Sequence, residues 1–378
     1  MDLELSGEQI ELRDEIRGWA REHFTDEFRA AGVSASRAWQ AELAEGGWGA
    51  PTWPVEHGGR GAGPIEAHII GGELAQAGAP QPISVIGIGW AGPAIIGHGT
   101  EEQKRRLLAP MLRGEEIWCQ LFSEPDAGSD LAALRTRAEL HGDRWVINGQ
   151  KIWSSYARES DFGILLARTD PAARKHEGIT CFAFPMRQRG VEIRPIRQMD
   201  GKATFNEVFF SDAEVPPDNV IGPVNGGWSV AVTTLTNERV GLSTGAGSLW
   251  GSGPTLDDLL VLARRSKLDP LQRQRLAAIY AEAEAIKLTG YRMLSAAARG
   301  GVPGVETSVS KLAADRWGQK LQELAMDLQG MGGLIDDPES IWPSSFLFAP
   351  ALTIGGGTTE VQLNILAQRV LGLPRERG

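Results

Sequence analysis

Residues 144–155, "RWVINGQKIWSS", decide the class of fold. The run is short and rich in β-branched and aromatic side chains, which is typical of β-strands. Within it, Asn148-Gly149 is a strong signal for a tight turn. Similar runs recur between about residues 118 and 225: "FGILLART", "ITCFAFPM", "VEIRPI" and "NEVFFSDAEVP". Several short strands closed by turns predict a small antiparallel barrel or sandwich.

Helical patterns precede this strand-rich region. Ser6 and Gln9 have the spacing of a capping box, and Thr100 is a candidate N-cap for the helix that follows it. We expect helices over about 64–78, 83–98 and 101–113.

Helical patterns also follow the strand-rich region. Asp269 is a candidate N-cap, Pro270 suits the first helical position and Gly300 suits a terminator. Further helices are predicted over about 306–329 and from near Thr359, where Gln362 would complete a capping box.

The order of helices, strands and helices predicts an α+β protein in which a β module lies between two helical modules. A length of 378 residues is sufficient for two or three packed units. We expect an N-terminal helical domain at 1–117, a central β domain at 118–225 and a C-terminal helical domain at 226–378.

Composition and charge narrow the functional classes. The net charge of −10 gives no basic face for nucleic acid, so no nucleic-acid partner is expected. Cys119 and Cys181 have neither CxxC spacing nor a neighbouring histidine cluster, so we expect two buried thiols and no metal site. No stretch approaches the roughly 20 apolar residues that span a membrane. The expectation is a soluble cytoplasmic protein.

Two polar segments of the β region are candidates for binding a ligand. In "LFSEPDAGSD", 121–130, small residues allow a ligand to approach the backbone, and Ser123 and Ser129 offer hydroxyls. In "NGQKIWSS", 148–155, an indole stands beside two hydroxyls, which suits a flat, polar ring system. The alternatives are an ordinary turn for the first segment and a core Trp153 for the second.

In this order, the two segments strongly resemble the flavin-binding segments of acyl-CoA dehydrogenases. The resemblance extends over nearly the whole chain through "EHGG" (56–59), "GTEEQKRRLLAPMLRGE" (99–115), "VPPDNVIG" (215–222), "NERV" (237–240) and "GGGTTEVQ" (355–362). It implies a helical domain, a central β-barrel domain and a C-terminal four-helix bundle, in agreement with the pattern above.

The resemblance also implies a chemistry. Bound FAD would serve the oxidation of an acyl-CoA to a trans-2-enoyl-CoA, with electron-transfer flavoprotein as the electron acceptor. By position, the flavin contacts would be Phe122, Ser123, Gly128, Ser129, Trp153, Ser154, Ser155, Gly357, Thr358 and Thr359. Ser129 would also face the thioester side of the substrate.

The C-terminal loop departs from the family pattern. Members of the family usually carry a catalytic carboxylate where Gly356 stands, whereas some place the base in a Glu-Arg pair on a C-terminal helix. Glu238-Arg239 is such a pair, so Glu238 is the candidate base and Arg239 a candidate substrate contact. A solvated helix turn at Glu238, or Glu360 as the base, are the alternatives. The backbone N–H of Gly356 is still able to contribute to an oxyanion site.

The second half of the flavin site also departs from the pattern. Arg264 falls at the position of an arginine that a neighbouring subunit supplies to FAD, but no Phe-Gly follows it. Asp327 falls where a glutamine is usual, and Gln329 would replace it if the register shifts. An acidic group would repel a diphosphate.

We therefore expect either a homo-oligomer with altered contacts or a hetero-oligomer with a related subunit, as in actinobacterial sterol acyl-CoA dehydrogenases. Three vacant glycine positions in the loop favour a bulky, branched or sterol-derived acyl group. A non-catalytic or half-site subunit, and an oxygen-using flavoenzyme on the same fold, are the alternative functions.

Overall fold

The structure, a computed structural model, describes residues 4–26, 33–244, 253–300, 304, 306–335, 337 and 340–374, without the side chains of 33–36 and 239–244. It divides into two compact units. A larger unit comprises Asp2–Arg197 with Ala203–Asn237, and a smaller one comprises Gln198–Lys202 with Glu238–Gly378. Each unit has its own hydrophobic core.

The larger unit contains a mixed sheet of eight strands among the described residues. The strands are β1 (Trp118–Leu121), β2 (Arg137–His141), β3 (Arg144–Lys151), β4 (Phe162–Arg168), β5 (Ile179–Pro185), β6 (Val191–Ile196), β7 (Phe205–Val215) and β8 (Val220–Ile221). Their order is β6-β7-β3-β2-β4-β5-β8, with β1 beside β4. The α+β class is confirmed. The sheet is open, and β1 and β2 each pair with β4 in parallel, whereas the other pairs are antiparallel.

The tight turn predicted at Asn148-Gly149 is wrong. Both residues lie inside β3, and the β2–β3 turn falls earlier, at Gly142-Asp143. The register between β3 and β7 shifts between Ile147 and Gly149, which marks a bulge. A glycine fits this bulge because its φ is +150° and the backbone of Thr136 passes close by.

Helices precede the sheet in the larger unit: α1 (Gly7–His23), α2 (Val33–Glu45), α3 (Pro64–Gln76), a π-helical turn (Gly87–Ala91), α4 (Gly92–His98) and α5 (Glu101–Leu112). The capping box at Ser6 and Gln9 is confirmed, and Thr100 caps α5 together with Gln103. Apolar side chains of α4 and α5 join one face of the sheet in a single core that includes Leu107, Met111 and Ile164.

The helices after the sheet are α6 (Gly227–Thr244), α7 (Leu256–Arg265), α8 (Pro270–Ala298), α9 (Glu306–Gln329), α10 (Trp342–Phe348) and α11 (Thr359–Arg369). The N-cap at Asp269 and the bounds predicted for α9 are confirmed. Helix α9 contacts α7, α8, α10 and α11, and its Trp317 indole donates to the carbonyl of Ile279 at 2.9 Å. The glycine-rich segment "WGSGP" (250–254) lies mostly outside the described residues.

Both cysteines are fully buried in the larger unit, as predicted. Burial raises the pKa of the Cys119 thiol to about 12, so this group is protonated and unreactive at neutral pH. Among the described residues, no cluster of His, Cys, Asp or Glu could hold a metal ion. No described helix is long and apolar enough to cross a membrane.

We predict that Gly149→Ala destabilises the fold by about 3 kcal/mol, because the new Cβ would meet the backbone of Thr136. That Cβ would lie 2.7 Å from the Thr136 Cα. Gly142→Ala is the matched control: its φ is +62° but its Cβ would meet nothing within 4 Å. We expect the control to lose only about 1 kcal/mol in urea unfolding. Equal losses would contradict the steric argument at the bulge.

Candidate active site

The turn after β1 is closed by reciprocal backbone hydrogen bonds. The N–H of Glu124 donates to the carbonyl of Ala127 at 3.1 Å, and the N–H of Ala127 donates back at 3.0 Å. Phe122 is buried, whereas Gly128 and Ser129 are exposed at the tip. A Cβ at Gly128 would meet nothing within 4 Å, so the backbone there is open to a ligand. This turn thus presents both its backbone and its hydroxyls.

A buried ion pair joins this turn to β3. Lys151 is 0% exposed, and its ammonium donates to the Glu124 carboxylate at 2.8 Å and to the carbonyl of Phe122 at 2.9 Å. The same carboxylate accepts from the backbone N–H groups of Arg135 at 2.6 Å and Thr136 at 2.9 Å. The carboxylate therefore has partners on both oxygens, which a buried charge requires.

Burial and the ion pair act in opposite directions on both pKa values. Burial opposes ionisation of Glu124, but Lys151 and the backbone donors outweigh burial, so the pKa of Glu124 lies below its ordinary value. Burial lowers the pKa of Lys151 to about 8, against the attraction of Glu124. At neutral pH the pair is therefore ionised.

The segment after β3 presents an exposed indole. Trp153 is 57% exposed, which excludes the alternative of a core tryptophan. Its φ of +61° is unusual for a residue with a side chain, and Tyr156 repeats it at +57°. Backbone bonds hold this conformation: Ser154 and Asn206 exchange N–H···O=C bonds at 3.0 and 3.1 Å. The Phe205 ring packs edge-on against the indole at 6.1 Å.

These features fit a flat ring system such as a flavin. Trp153 offers an exposed aromatic face, and the adjoining Ser155 is nearly buried. The hydroxyl of Ser154 is buried without a hydrogen-bond partner among the described residues, so a polar group is missing from its surroundings. Phe122, Ser123, Trp153, Ser154 and Ser155 all belong to the larger unit, and the Lys151 pair joins the two segments that carry them.

The smaller unit carries the glycine loop that precedes α11. Gly356 and Gly357 have φ values of +67° and +93°. Thr358 caps α11, and its hydroxyl accepts from the N–H of Val361 at 3.3 Å. The capping box predicted between Thr359 and Gln362 is wrong, because the N-cap of α11 is Thr358, whose hydroxyl accepts from the N–H of Val361.

Gln362 turns back onto the loop instead. Its amide nitrogen donates to the carbonyl of Gly356 at 3.2 Å and reaches that of Gly357 at 3.5 Å. The backbone N–H groups at the start of α11, together with Thr358 and Thr359, suit an anionic group such as a diphosphate.

The two carboxylates considered as a base differ in burial. Glu238, on α6, is 7% exposed. Glu360 is exposed in the first turn of α11, where its own backbone N–H and the Thr358 hydroxyl lower its pKa. A lowered pKa stabilises the anion and weakens it as a base, so Glu360 has the properties of a helix-capping residue. The side chain of Arg239 lies outside the described residues.

A second buried ion pair lies on α9, near the segment before the glycine loop. Lys311 donates to Asp315 at 2.6 Å and to the carbonyl of Leu352 at 3.3 Å. Burial raises the pKa of Asp315 to about 6, against the effect of Lys311. The pair fixes the chain three residues before Gly355.

None of the three residues considered for the other half of the flavin site is buried. Arg264 is exposed in the last turn of α7. Asp327 forms an ion pair with Arg275 of α8, which partly neutralises the charge that would repel a diphosphate. Gln329 is half-buried, and its amide donates to the carbonyl of Ala325 at 3.3 Å.

Three domain descriptions match successive parts of the chain. They are the acyl-CoA dehydrogenase N-terminal domain at residues 6–115, middle domain at 119–213 and C-terminal domain at 225–371. The chain belongs to the acyl-CoA dehydrogenase family. This is a family of flavoprotein oxidoreductases.

The chain is similar to two mycobacterial acyl-CoA dehydrogenases. It is 45% identical over 336 residues to acyl-CoA dehydrogenase FadE34 of Mycobacterium tuberculosis, covering 89% of this chain but only 46% of that protein. It is 42% identical to acyl-CoA dehydrogenase IpdE1 of the same organism, covering 97% of this chain and 98% of that protein.

Solved structures give the same family. The structure described as "Tcur3481-Tcur3483 steroid ACAD" aligns with a TM-score of 0.85 at 32% identity and covers 100% of both chains. The ChsE4-ChsE5 complex of Mycobacterium tuberculosis aligns with a TM-score of 0.84 at 32% identity, covering 99% of this chain and 100% of that chain. Both are assemblies of two differently named subunits.

Sequence reasoning missed the side chains that support the site. Glu124 and Lys151 stand inside the quoted motifs, yet their pairing was not anticipated. A lysine that ends a strand, with a glutamate in the preceding turn, is the signal that points to this pair. Lys311 and Asp315, at helical i,i+4 spacing, carry a similar signal.

We predict that Glu124→Gln destabilises the larger unit by about 3 kcal/mol at pH 6, because Lys151 is left as an unpaired buried charge. Without the carboxylate, the variant's Lys151 loses its proton below the wild-type value of about 8, whereas the unfolded lysine keeps it to about 10.5. The unfolded variant thus binds more protons, and its stability rises with pH. The difference in free energy of unfolding between the wild type and the variant should therefore decrease as the pH rises towards 8.

Urea unfolding at fixed protein concentration, from pH 6 to pH 8, measures this deficit. Asp126→Asn is the control, because its pair with Arg135 is exposed on both sides and should contribute little. A deficit that is constant over this range would contradict the assigned role of the buried ammonium.

Proposed function

We propose that this chain catalyses the FAD-dependent dehydrogenation of an acyl-CoA to a trans-2-enoyl-CoA, with Glu238 as the base. Membership of the family supports the reaction class. The burial of Glu238 supports its role, because an active site that removes a proton from carbon excludes bulk water from around the base. Glu238 is 7% exposed, and the loop at Gly356 carries no carboxylate.

The proposed reaction removes a proton from the carbon next to the thioester carbonyl. Glu238 accepts that proton, and Arg239 contacts the substrate beside it. The negative charge that develops on the carbonyl oxygen needs hydrogen-bond donors. We assign one of them to the backbone N–H of Gly356, which the loss of a side chain at this position leaves intact.

We assign the cofactor contacts by their positions in the family pattern, separately for each unit. In the larger unit, Phe122, Ser123, Gly128, Ser129, Trp153, Ser154 and Ser155 present the aromatic face and the hydroxyls described above. In the smaller unit, Gly357, Thr358 and Thr359 present the start of α11, and Arg264 is assigned to a site shared between subunits. FAD, when bound, supplies the acceptor for the hydride that leaves the next carbon of the acyl chain.

We further propose that the acyl group is bulky and steroid-like. One solved relative is described as a steroid ACAD, and this chain matches it over its full length. Three consecutive glycines, 355–357, provide no side-chain volume in the loop. Electron-transfer flavoprotein is the proposed acceptor of the electrons from the reduced cofactor.

A half-site role within a hetero-oligomer is the second candidate function. Two solved relatives are assemblies of differently named subunits. In this chain Arg264 lacks the Phe-Gly of the family pattern, and Asp327 occupies the usual glutamine position. The half of the flavin site that a neighbouring subunit receives from this chain is therefore altered, whereas Glu238 is present. A related subunit would supply the missing contacts.

We predict that Glu238→Gln retains flavin and lowers kcat at least about 1000-fold, because the amide cannot accept the substrate proton. Glu360→Gln is the matched control and should keep its activity to within about threefold, since its carboxylate serves the helix terminus. Stopped-flow reduction of the flavin at saturating acyl-CoA measures both variants. An active Glu238→Gln protein would refute the assignment of the base.

We predict that the purified chain responds to steroid thioesters rather than to short straight chains. The measurement is the visible spectrum before and after anaerobic addition of cholanoyl-CoA, isobutyryl-CoA or octanoyl-CoA. Bleaching by cholanoyl-CoA alone supports the proposed substrate class, and bleaching by octanoyl-CoA alone contradicts it.

The same preparation tests the two alternative functions. A colourless chain that becomes yellow on co-expression with a related subunit supports the hetero-oligomer. If electron-transfer flavoprotein reoxidises the reduced flavin rapidly and air reoxidises it only slowly, the protein is not an oxidase.

A further inference from the structure

We propose that Gln362 is a positioning residue that holds the glycine loop, residues 355–357, in the conformation that the reaction requires. The inference rests on the proposed function, since it concerns the loop that carries the Gly356 N–H. It assigns to Gln362 a role in turnover rather than in the stability of α11.

The glycine loop has an unusually large conformational freedom to lose. Glycine has more accessible backbone conformations than any other residue, so three in succession make an ordered loop costly in entropy. Gly356 and Gly357 nevertheless adopt defined left-handed conformations, with φ values of +67° and +93°. If the N–H groups of this loop are to point in fixed directions, contacts from outside the three glycines must hold the loop.

Gln362 provides such contacts from the first turns of α11. Its amide nitrogen lies 3.2 Å from the Gly356 carbonyl oxygen and 3.5 Å from that of Gly357. The side chain is 1% exposed, so water does not compete for these hydrogen bonds. The reverse orientation of the amide would place its oxygen against two carbonyl oxygens, so only one orientation is compatible with the loop.

The amide makes these bonds although its oxygen is left unsatisfied. The Oε1 atom of Gln362 is buried and has no hydrogen-bond partner among the described residues. An apolar side chain of similar length would avoid that cost. Helix α11 does not need the amide for its N-terminus, because Thr358 already caps it. The position is thus better explained by what the amide does to the loop.

The loop is also shaped to admit the amide. A Cβ at Gly357 would lie 2.7 Å from the Gln362 nitrogen, so any other residue there would displace the side chain. On the N-terminal side, Lys311 holds the carbonyl of Leu352, which restricts the chain that leads into the loop. The glycines and Gln362 therefore form one local arrangement.

This arrangement bears directly on the proposed oxyanion contact. The carbonyl of Gly356 and its N–H flank the same Cα, so fixing the carbonyl limits rotation of the residue that carries the donor. Without the amide, the N–H would sample orientations that do not face the thioester oxygen. Such a loss affects the transition state, where charge accumulates on oxygen, more than it affects ground-state binding.

The test compares Gln362→Met with the wild-type flavin-loaded protein. Methionine keeps the length of the side chain and removes the donor. Hydrogen exchange of the peptide that covers residues 353–361 should become about tenfold faster. With cholanoyl-CoA as the probe, kcat should fall about tenfold while KM changes less than about twofold. Gln362→Glu, which sets a carboxylate against the two carbonyls, should show the same changes or larger ones.

Gln368→Met is the matched control on the same helix, because Gln368 is half-buried and makes no described bond to the loop. Unchanged exchange in Gln362→Met would overturn the proposal, and so would faster exchange with an unchanged kcat. Equal effects in Gln368→Met would also overturn it, by indicating a general loosening of α11. A wild-type protein that no acyl-CoA reduces would instead refute the proposed function, and the exchange data would still decide whether Gln362 holds the loop.

Discussion

The buried ion pair between Glu124 and Lys151 is the constraint on which the larger unit's candidate site depends. Two charges in an apolar interior need further hydrogen-bond partners besides each other. Here the carboxylate accepts from the ammonium and from two backbone N–H groups, and the ammonium also binds the Phe122 carbonyl. The turn at 121–130 and the strand at 144–151 therefore cannot move independently. The exposed side chains near the turn and after the strand are therefore held in fixed positions relative to each other.

In the smaller unit, a neutral side chain, Gln362, orders the segment proposed to bind the ligand. A loop of three glycines offers backbone groups without side-chain obstruction, but it has little intrinsic order. Gln362 and Lys311 bind carbonyls within and just before this loop, and Thr358 caps the helix after it. Rigid helices thus order a segment that its own composition would leave flexible. In both units, buried polar side chains hold the segments to which we assign ligand binding.

The proposed base lies on a helix, separate from the loop that carries the proposed backbone donor. A carboxylate on the glycine loop would occupy volume that a bulky acyl group requires. A carboxylate on α6 leaves the loop small and, when buried, is kept away from bulk water. Glu238 has that burial, whereas Glu360 is exposed and has a lowered pKa. The same reasoning connects the absence of a side chain at Gly356 with the steroid-like substrate that we propose.

The order of helices and strands, the capping residues Ser6, Thr100 and Asp269, and the family are all predictable from the amino-acid sequence. These features depend on local periodicity, on short capping spacings and on motifs that are contiguous in the chain. Local rules failed at Asn148-Gly149, where a turn signal lies within a bulged strand, because the neighbouring strand and Thr136 determine that backbone. They failed again at Gln362, whose amide binds the loop rather than the helix end. Long-range packing, by contrast, pairs Glu124 with Lys151 across 27 residues of chain, leaves Trp153 exposed and buries Glu238. Burial and pairing arise from segments distant in sequence, and local patterns do not encode which of those segments come into contact.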